Sequence, residues 1–352
     1  MPRTIIREPL SIILLTISAS ISEPSKRDEI IQRTLTFFEY IKDVYKNLEP
    51  IYLKGRLMIL TMLDETSNIP DEIDKNSIHE LSDLAVMTGD EIIIYYASVD
   101  APIFTIENRS INEIKQDSIY ISYVYENGNE YININGESIP ISGYQGRGSV
   151  FCTFYNELDA EILRYKNERI LESTCCIFNN SWFNQGNRIF FKNSPEDLMQ
   201  LSLQEFLRST MRGVNVSREI NVDARKPVDL RLQWREANRM ALIEIKWLGK
   251  SLSDQNIISA TYTDARANDG ALQLKEYLDS HKHELPTSII RAYLVVIDGR
   301  RWNTSIGQDQ ITRDNGFRYE NQDIKWRDDR KYHCNNPDYA KPVRMFTRPI
   351  CN

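Results

Sequence analysis

The segment at residues 240–247 constrains this chain most, because charge interrupts an otherwise apolar strand pattern there. It reads Met-Ala-Leu-Ile-Glu-Ile-Lys-Trp and carries Glu244 and Lys246. Side chains two residues apart project from the same face of a strand, so these two point together while their isoleucine neighbours face the other way. A carboxylate and an ammonium group on such a strand are costly to bury unless they are paired or hold a metal ion.

A second carboxylate, Asp229, lies on the predicted strand that precedes this segment. Fourteen residues separate it from Glu244. If the two strands form a hairpin that turns near residues 235–238, Asp229 lies beside Glu244. Two carboxylates suit a hard cation such as Mg²⁺, which polarises a phosphate oxygen and activates water, while a lysine stabilises developing charge. The alternative is a solvated strand edge that bears an ordinary charge pair.

Length and composition describe an ordinary globular chain. The chain has 352 residues, of which 41% are hydrophobic and 26% are charged. A chain of this length is expected to form two domains. The net charge of −7 argues mildly against a general nucleic-acid binder but leaves local basic patches open. Five cysteines without a C-x-x-C pair favour free thiols in a reducing cytosol. No apolar run reaches the roughly 18 residues that a membrane span needs.

The first 190 residues are predicted to form a separate mixed α+β domain. The apolar run at residues 10–21 fits either a signal peptide or a buried strand at Ser11–Ser18. Helices are predicted at 24–48, 51–66, 76–88 and 156–168. Strands are predicted at 91–96, 149–155, 175–178 and 188–191, with a hairpin of 118–125 and 130–134. His79 is interpreted as a surface residue, and no catalytic constellation is visible here.

A second unit is predicted from about residue 191 to residue 300, in the order α-β-β-β-α-β. Ser194-Pro195-Glu196 marks the start of its first helix, which runs to about residue 211. Strands follow at 214–222, 228–234 and 240–247, then a helix at 267–283 and an apolar, central strand at 289–297. Residues 301–352 are polar and are interpreted as a C-terminal extension, in which Lys331, His333 and Cys334 form a surface loop.

The pattern of Asp229, Glu244 and Lys246 closely resembles the PD-(D/E)XK, or restriction-endonuclease-like, nuclease superfamily, whose core has the same α-β-β-β-α-β order. The resemblance covers residues 193–300 and implies that the two acids bind metal and the lysine assists catalysis. The family's Pro-Asp pair is Pro227-Val228-Asp229 here, with one residue inserted. The fold class expected is therefore α+β or α/β, with this core following the separate N-terminal domain.

A Q-x-x-x-Y motif on the helix after the catalytic strands adds to the likeness. Gln273 and Tyr277 are four residues apart and share a helix face. The spacing resembles the RecB-like and lambda-exonuclease-like branches, and implies that Gln273 assists catalysis and Tyr277 binds substrate. An ordinary amphipathic helix is the alternative. The resemblance also implies a third metal contact from the first helix, for which Glu205 is the candidate and Glu196 the second choice, although a surface role suits Glu205 better.

Basic residues near Asp229 are candidates for binding the phosphate backbone. These are Arg225, Lys226 and Arg231, with solvated charges as an equal alternative. Arg300 and Arg301, just after the last core strand, are open between the same two roles.

The resemblance implies a cytoplasmic, Mg²⁺-dependent nuclease, in which Mn²⁺ can substitute. DNA is expected as the substrate ahead of RNA, and bacterial anti-phage defence is the expected setting by fold-level analogy. Residues 1–190 are then expected to receive a signal ligand, a protein partner or DNA, and a homodimer is compatible with cutting both strands. The alternatives are a repair, recombination or transposition nuclease that acts on DNA ends, and a non-catalytic nucleic-acid-binding module with the same fold.

Overall fold

The chain forms two compact units, Met1–Glu157 and Leu158–Asn352. The computed structural model describes residues 11, 13–15, 18–19, 24–53, 55–62, 77–78, 81, 84, 91–96, 103–105, 120–134, 137–141, 149–220, 228–235, 237–286 and 288–352. The class is mixed α+β, as expected, with one mixed sheet in each unit. No helix among the described residues combines the length and apolar character needed to cross a lipid bilayer.

The first unit contains a seven-stranded sheet and one long helix. Its elements are α1 (Pro24–Asn47), β1 (Arg56–Met62), β2 (Ser77–Ile78), β3 (Glu91–Tyr96), β4 (Ile103–Thr105), β5 (Tyr120–Glu126), β6 (Asn129–Ile134) and β7 (Glu137–Ile141), with a 3₁₀ turn at Pro50–Tyr52. The strand order is β2-β4-β3-β1-β5-β6-β7, and the pair of β1 and β3 is parallel. The predicted hairpin is confirmed, and its turn residues Asn127 and Gly128 take the positive φ angles that such turns need.

The core of the first unit follows the two periodicities of the sequence. Helix α1 buries one apolar stripe, which includes Phe37, Ile41 and Val44. Alternate residues of β1, such as Leu57 and Ile59, belong to the same buried cluster. The intervening residues of the sheet form a smaller buried cluster on the other face.

The structure of the first unit departs from the sequence predictions at four places. The N-terminal run is helical at its described positions, where Ser18 Oγ donates to Leu14 O at 2.7 Å, so those positions do not form the strand that was one of the two alternatives for Ser11–Ser18. Residues 56–62 form β1 instead of a helix, because β1 pairs with strands on both sides. The predicted strand at 149–155 is absent, since Ser149 binds Glu130 and Tyr155 begins a helix. Within the predicted helix 76–88, residues 77 and 78 form a strand, and most others lie outside the described residues.

The second unit is built on another seven-stranded sheet. Its elements are α2 (Tyr155–Tyr165, continued by a π-helical turn at Lys166–Ile170), α3 (Cys176–Asn179), β8 (Phe191–Lys192), α4 (Glu196–Thr210), β9 (Val214–Ile220), β10 (Val228–Trp234), β11 (Arg239–Leu252), β12 (Ile258–Tyr262), α5 (Asp264–Glu284), β13 (Ile289–Asp298), α6 (Arg313–Phe317) and β14 (Val343–Phe346), with 3₁₀ turns at Asp328–Arg330 and Tyr332–Cys334. The main order is β14-β13-β11-β10-β9, and β8 and β12 both pair with β11.

The predicted order of elements from α4 to β13 is observed, with β12 as an additional strand. Strand β13 is central as expected, since β11 and β14 flank it in parallel. The predicted strand at 175–178 is wrong, because residues 176–179 form the short helix α3 and bury Phe178. Helix α5 packs on β11 and β13, and α4 packs on β9, β10 and β11.

The division between the units lies earlier in the chain than the predicted boundary at residues 190/191. Residues 158–190 belong to the second unit, where β8 and the preceding Trp182 join its sheet. The C-terminal extension of residues 301–352 belongs there too, since it supplies β14. The sheet that carries the candidate site is therefore completed by segments from both sides of the predicted core.

Candidate functional site

Asp229 lies where the pairing between β10 and β11 ends. The antiparallel ladder runs from Gln233 opposite Met240 to Leu230 opposite Ile243. Asp229 is the next residue, and its Oδ2 accepts a hydrogen bond from the backbone N–H of Ile245 at 2.6 Å. The carboxylate thus satisfies a strand N–H that points towards β10, and the predicted hairpin geometry is observed.

Glu244 and Lys246 are buried and paired with each other. Glu244 is 0% exposed and Lys246 is 6% exposed, and Lys246 Nζ donates to Glu244 Oε1. The residues between and beside them on β11 are buried as well, so both faces of the strand are covered. This burial excludes the solvated strand edge that was the alternative for these two residues.

Crowding of carboxylates shapes the electrostatics of the site. Burial, followed by the nearby Asp229 carboxylate, raises the pKa of Glu244 to about 8, against the opposing effect of Lys246. Burial also raises the pKa of Asp229, although the Ile245 N–H and Lys246 oppose it. Glu244 Oε2 is buried and has no hydrogen-bond partner. The site therefore contains an unsatisfied acceptor oxygen and two neighbouring carboxyl groups, whose charged forms a bound cation would stabilise.

Helix α5 covers the site with three residues. A Cβ atom on Gly270 would lie 2.6 Å from Lys246 Cγ, so only glycine allows this approach without a shift. Gln273 Nε2 donates to the hydroxyl of Tyr277 one turn later. Burial, together with the charges of Glu244 and Asp229, raises the pKa of Tyr277 to about 12. The predicted Gln273 and Tyr277 pair therefore belongs to the surroundings of the carboxylates.

Helix α4 reaches the site through residues other than the predicted Glu205. Gln200 Nε2 donates to Asp229 Oδ1 at 2.8 Å, and Gln200 Oε1 is buried without a partner. Glu196, one turn earlier, accepts from Trp247 Nε1 at 2.9 Å and adds to the negative charge around Asp229. Glu205 lies 140° around the helix from Gln200 by the 100° step per residue. It is solvent-exposed and pairs with Arg208, so it does not join the site.

Arg266 is a cation at the site that the sequence did not single out. Its NH2 contacts Glu196 Oε1 at 3.4 Å, and its positive charge lowers the pKa of Glu244. The guanidinium lies 4.7 Å from the centre of the Tyr262 ring, and its Nε is buried without a partner. Its place in the first turn of α5, directly after β12, was the available signal for its proximity to the strands that carry Asp229 and Glu244.

The other basic residues that the sequence singled out differ in their surroundings. Arg225 and Lys226 lie outside the described residues. Arg231 is half-buried, two residues after Asp229 on β10. Arg300 and Arg301 are buried, and they bind the Asp298 carboxylate and backbone carbonyls respectively, which gives both a structural role.

The donor set fits a hard divalent cation. Among the described residues, no group of three or more His, Cys, Asp or Glu side chains is arranged as a complete metal cage. Mg²⁺ does not need one, because it keeps several waters and uses one or two carboxylates together with substrate phosphates. Asp229 and Glu244 provide those carboxylates, and the orphaned Glu244 Oε2 and Gln200 Oε1 are additional oxygen acceptors.

Comparisons of the chain with protein-family models, curated proteins and solved structures found no match. The chemistry of the site therefore carries the functional conclusion. That chemistry consists of two adjacent carboxylates, a buried ammonium group, an orienting amide and a part-exposed guanidinium group.

Proposed function

We propose that this chain is a Mg²⁺-dependent nuclease of the PD-(D/E)XK superfamily, which hydrolyses phosphodiester bonds, with DNA as the preferred substrate. The single observation that carries the proposal is the convergence of Asp229, Glu244 and Lys246 at the end of the β10–β11 ladder. The order of elements from α4 to β13 and the proximity of the Gln273–Tyr277 pair to the carboxylates support the same family.

Each side chain has a defined task in this proposal. Asp229 and Glu244 hold Mg²⁺, or Mn²⁺ in its place, and the bound cation supplies Lewis acidity towards a phosphate oxygen. Gln200 fixes the orientation of the Asp229 carboxylate through its 2.8 Å hydrogen bond. Lys246 Nζ lies beside Glu244 and stabilises negative charge on the phosphoryl oxygens as the attacking water approaches.

The carboxylates repel an anionic substrate unless cations compensate for them. Arg266 lies on the accessible side, with about a third of its side chain exposed. Its NH2 contacts Glu196 and its guanidinium lies over the Tyr262 ring, which holds beside the carboxylates a planar cation whose geometry suits a phosphate. We therefore add Arg266 to the proposed substrate-binding residues, next to Arg231 and Tyr277.

Cleavage assays with matched variants test the proposal. The full chain is incubated with linear, closed circular and single-stranded DNA and with RNA, with and without Mg²⁺. Asp229→Ala and Lys246→Ala should abolish cleavage, whereas Glu205→Ala, an exposed residue of α4, should retain it. Tryptophan fluorescence checks that each variant is folded. Full Mg²⁺-dependent activity in either site variant would refute the assignment.

The Gln273–Tyr277 pair favours a second candidate, an end-acting nuclease of repair, recombination or transposition. Closed circular DNA separates the two: an endonuclease nicks it, and an exonuclease leaves it intact. A non-catalytic binding module is the candidate of another class. Calorimetric titration with Mn²⁺ distinguishes it, because a nuclease site binds the ion and Asp229→Ala removes that binding.

We infer a role in bacterial anti-phage defence, with the first unit receiving a signal ligand or a protein partner. This setting is supported only by the fusion of the proposed nuclease to a second folded unit. All five cysteines are free thiols, which supports a reducing, cytoplasmic location. Size determination with and without DNA tests the proposed homodimer.

A further inference from the structure

A concave feature of the Leu158–Asn352 unit lies apart from the residues described above. It is a cleft of about 780 Å³, within the range of small-molecule sites. Its walls come from α2, the π-helical turn after it, strands β13 and β14, and residues 323–342 of the C-terminal extension. No residue of the carboxylate site lines it.

Positive charge dominates this cleft, although the whole chain carries a net charge of −7. Five of its lining side chains are lysine or arginine, against two aspartates, Asp159 and Asp323. Arg291 pairs with Asp159 at 3.2 Å, and Arg344 binds the buried Asp298. Lys166 and Lys341 take part in none of the ion pairs of the described chain, so their ammonium groups are available to an anion.

The cleft also has an apolar wall. Leu163 of α2 lines it and is 48% exposed. Trp326 lines the same cleft and is half-buried, with its ring packed in part on the core beneath α5. An aliphatic side chain and an indole ring favour a flat, weakly polar group, which they can enclose or stack against.

We propose that this cleft binds a small phosphorylated ligand that carries a planar ring, the chemistry of a nucleotide. Lys166 and Lys341 bind the phosphate groups, and Leu163 and Trp326 contact the ring. The cations alone would suit any anion, and the apolar wall alone would suit any hydrophobe. Their combination in one cleft selects a ligand that has both parts. The proposal is independent of the nuclease assignment.

Calorimetric titration of the full chain tests this site. The probes are the four ribonucleoside triphosphates, with adenosine and tripolyphosphate as controls that lack the phosphates or the ring. EDTA is present, so that no metal-bridged binding at Asp229 and Glu244 contributes. At least one triphosphate should bind, and both controls should bind at least about tenfold more weakly.

Matched charge reversals locate the binding. The double variant Lys166→Glu, Lys341→Glu should weaken triphosphate binding by at least about tenfold. Lys192→Glu, an exposed lysine outside the cleft, should leave it unchanged. Two results would overturn the proposal: no triphosphate binding by the unmodified chain, or equal affinity for tripolyphosphate. A double variant that loses duplex DNA binding while nucleotides never bind would assign the cleft to a nucleic-acid backbone instead.

Discussion

The approach of α5 to Lys246 makes Gly270 a sensitive position. A Cβ atom there would lie 2.6 Å from Lys246 Cγ and 3.2 Å from Leu294 Cδ1. In an exposed helix, Gly→Ala stabilises by about 1 kcal/mol. Here overpacking against the buried stem of Lys246 costs about 1–3 kcal/mol. We therefore expect Gly270→Ala to lower the free energy of unfolding of the second unit by about 1 kcal/mol, the difference between these two contributions.

Urea unfolding followed by tryptophan fluorescence measures this effect in the correct unit. All five tryptophans lie between residues 182 and 326, so their emission reports the Leu158–Asn352 unit alone. Asp269→Ala is the control, because Asp269 is exposed on the same helix and gains helix propensity without overpacking. The unfolding midpoint should fall for Gly270→Ala and should not fall for Asp269→Ala.

A double-variant cycle gives the sharpest form of this prediction. Lys246→Ala removes the nearest of these atoms and leaves only the 3.2 Å approach to Leu294 Cδ1, so in that background Gly270→Ala should no longer destabilise. Cleavage by Gly270→Ala alone should fall on the order of 100-fold, because the ammonium group of Lys246 moves with its stem. A higher unfolding midpoint for Gly270→Ala in the otherwise unmodified chain would refute the close approach and the reasoning built on it.

Three further predictions concern other charged groups. Arg266→Ala should reduce cleavage by about 10- to 100-fold, because the proposed phosphate contact is lost, and should lower the urea midpoint only slightly, because its part-exposed ion pair with Glu196 contributes little. Asp298→Ala should destabilise the second unit by about 3–5 kcal/mol in the same urea assay, since it leaves the guanidinium groups of Arg300 and Arg344 without their buried partner. Burial raises the pKa of Glu130 from 4.5 to about 7, so its stabilising effect on the first unit is complete below pH 4.5 and is lost as the pH rises through about 7. That loss, about 3 kcal/mol at most, should appear in far-UV circular dichroism without a tryptophan change and should be absent in Glu130→Gln.

The sequence was sufficient for elements whose periodicity is long or whose turn chemistry is specific. Helix α1 shows a helical stripe over several turns, and the Asn127-Gly128 turn defines its hairpin. The spacing of Asp229 and Glu244 on consecutive strands likewise predicted that they lie close together, because neighbouring antiparallel strands bring such residues side by side.

Short apolar segments were the main source of error. The apolar runs at Ser11–Ser18 and residues 56–62 are too short for their periodicity to distinguish a strand from a buried helix. Residues 56–62 form strand β1 because they pair with a strand on each side. The preference for Glu205 over Glu196 was wrong for a related reason, and Gln200 was not considered. The rotational setting of α4 on the sheet turns Gln200 towards Asp229 and leaves Glu205 in solvent. That setting follows from packing between elements, which the local sequence does not encode.

Asp229 has both a proposed chemical role and a structural role, and the choice of substitution determines whether the two can be measured separately. Its carboxylate neighbours Glu244 and also satisfies the Ile245 N–H at the point where β10 stops pairing with β11. Asp229→Ala therefore removes a charge and leaves a buried strand N–H without a partner, at a cost of about 1–3 kcal/mol. Asp229→Asn keeps an acceptor for that N–H, and Gln200 Oε1, which has no partner, can accept from the new amide. The asparagine variant should therefore keep the unfolding midpoint and lose cleavage and Mn²⁺ binding, which separates chemistry from folding at this residue.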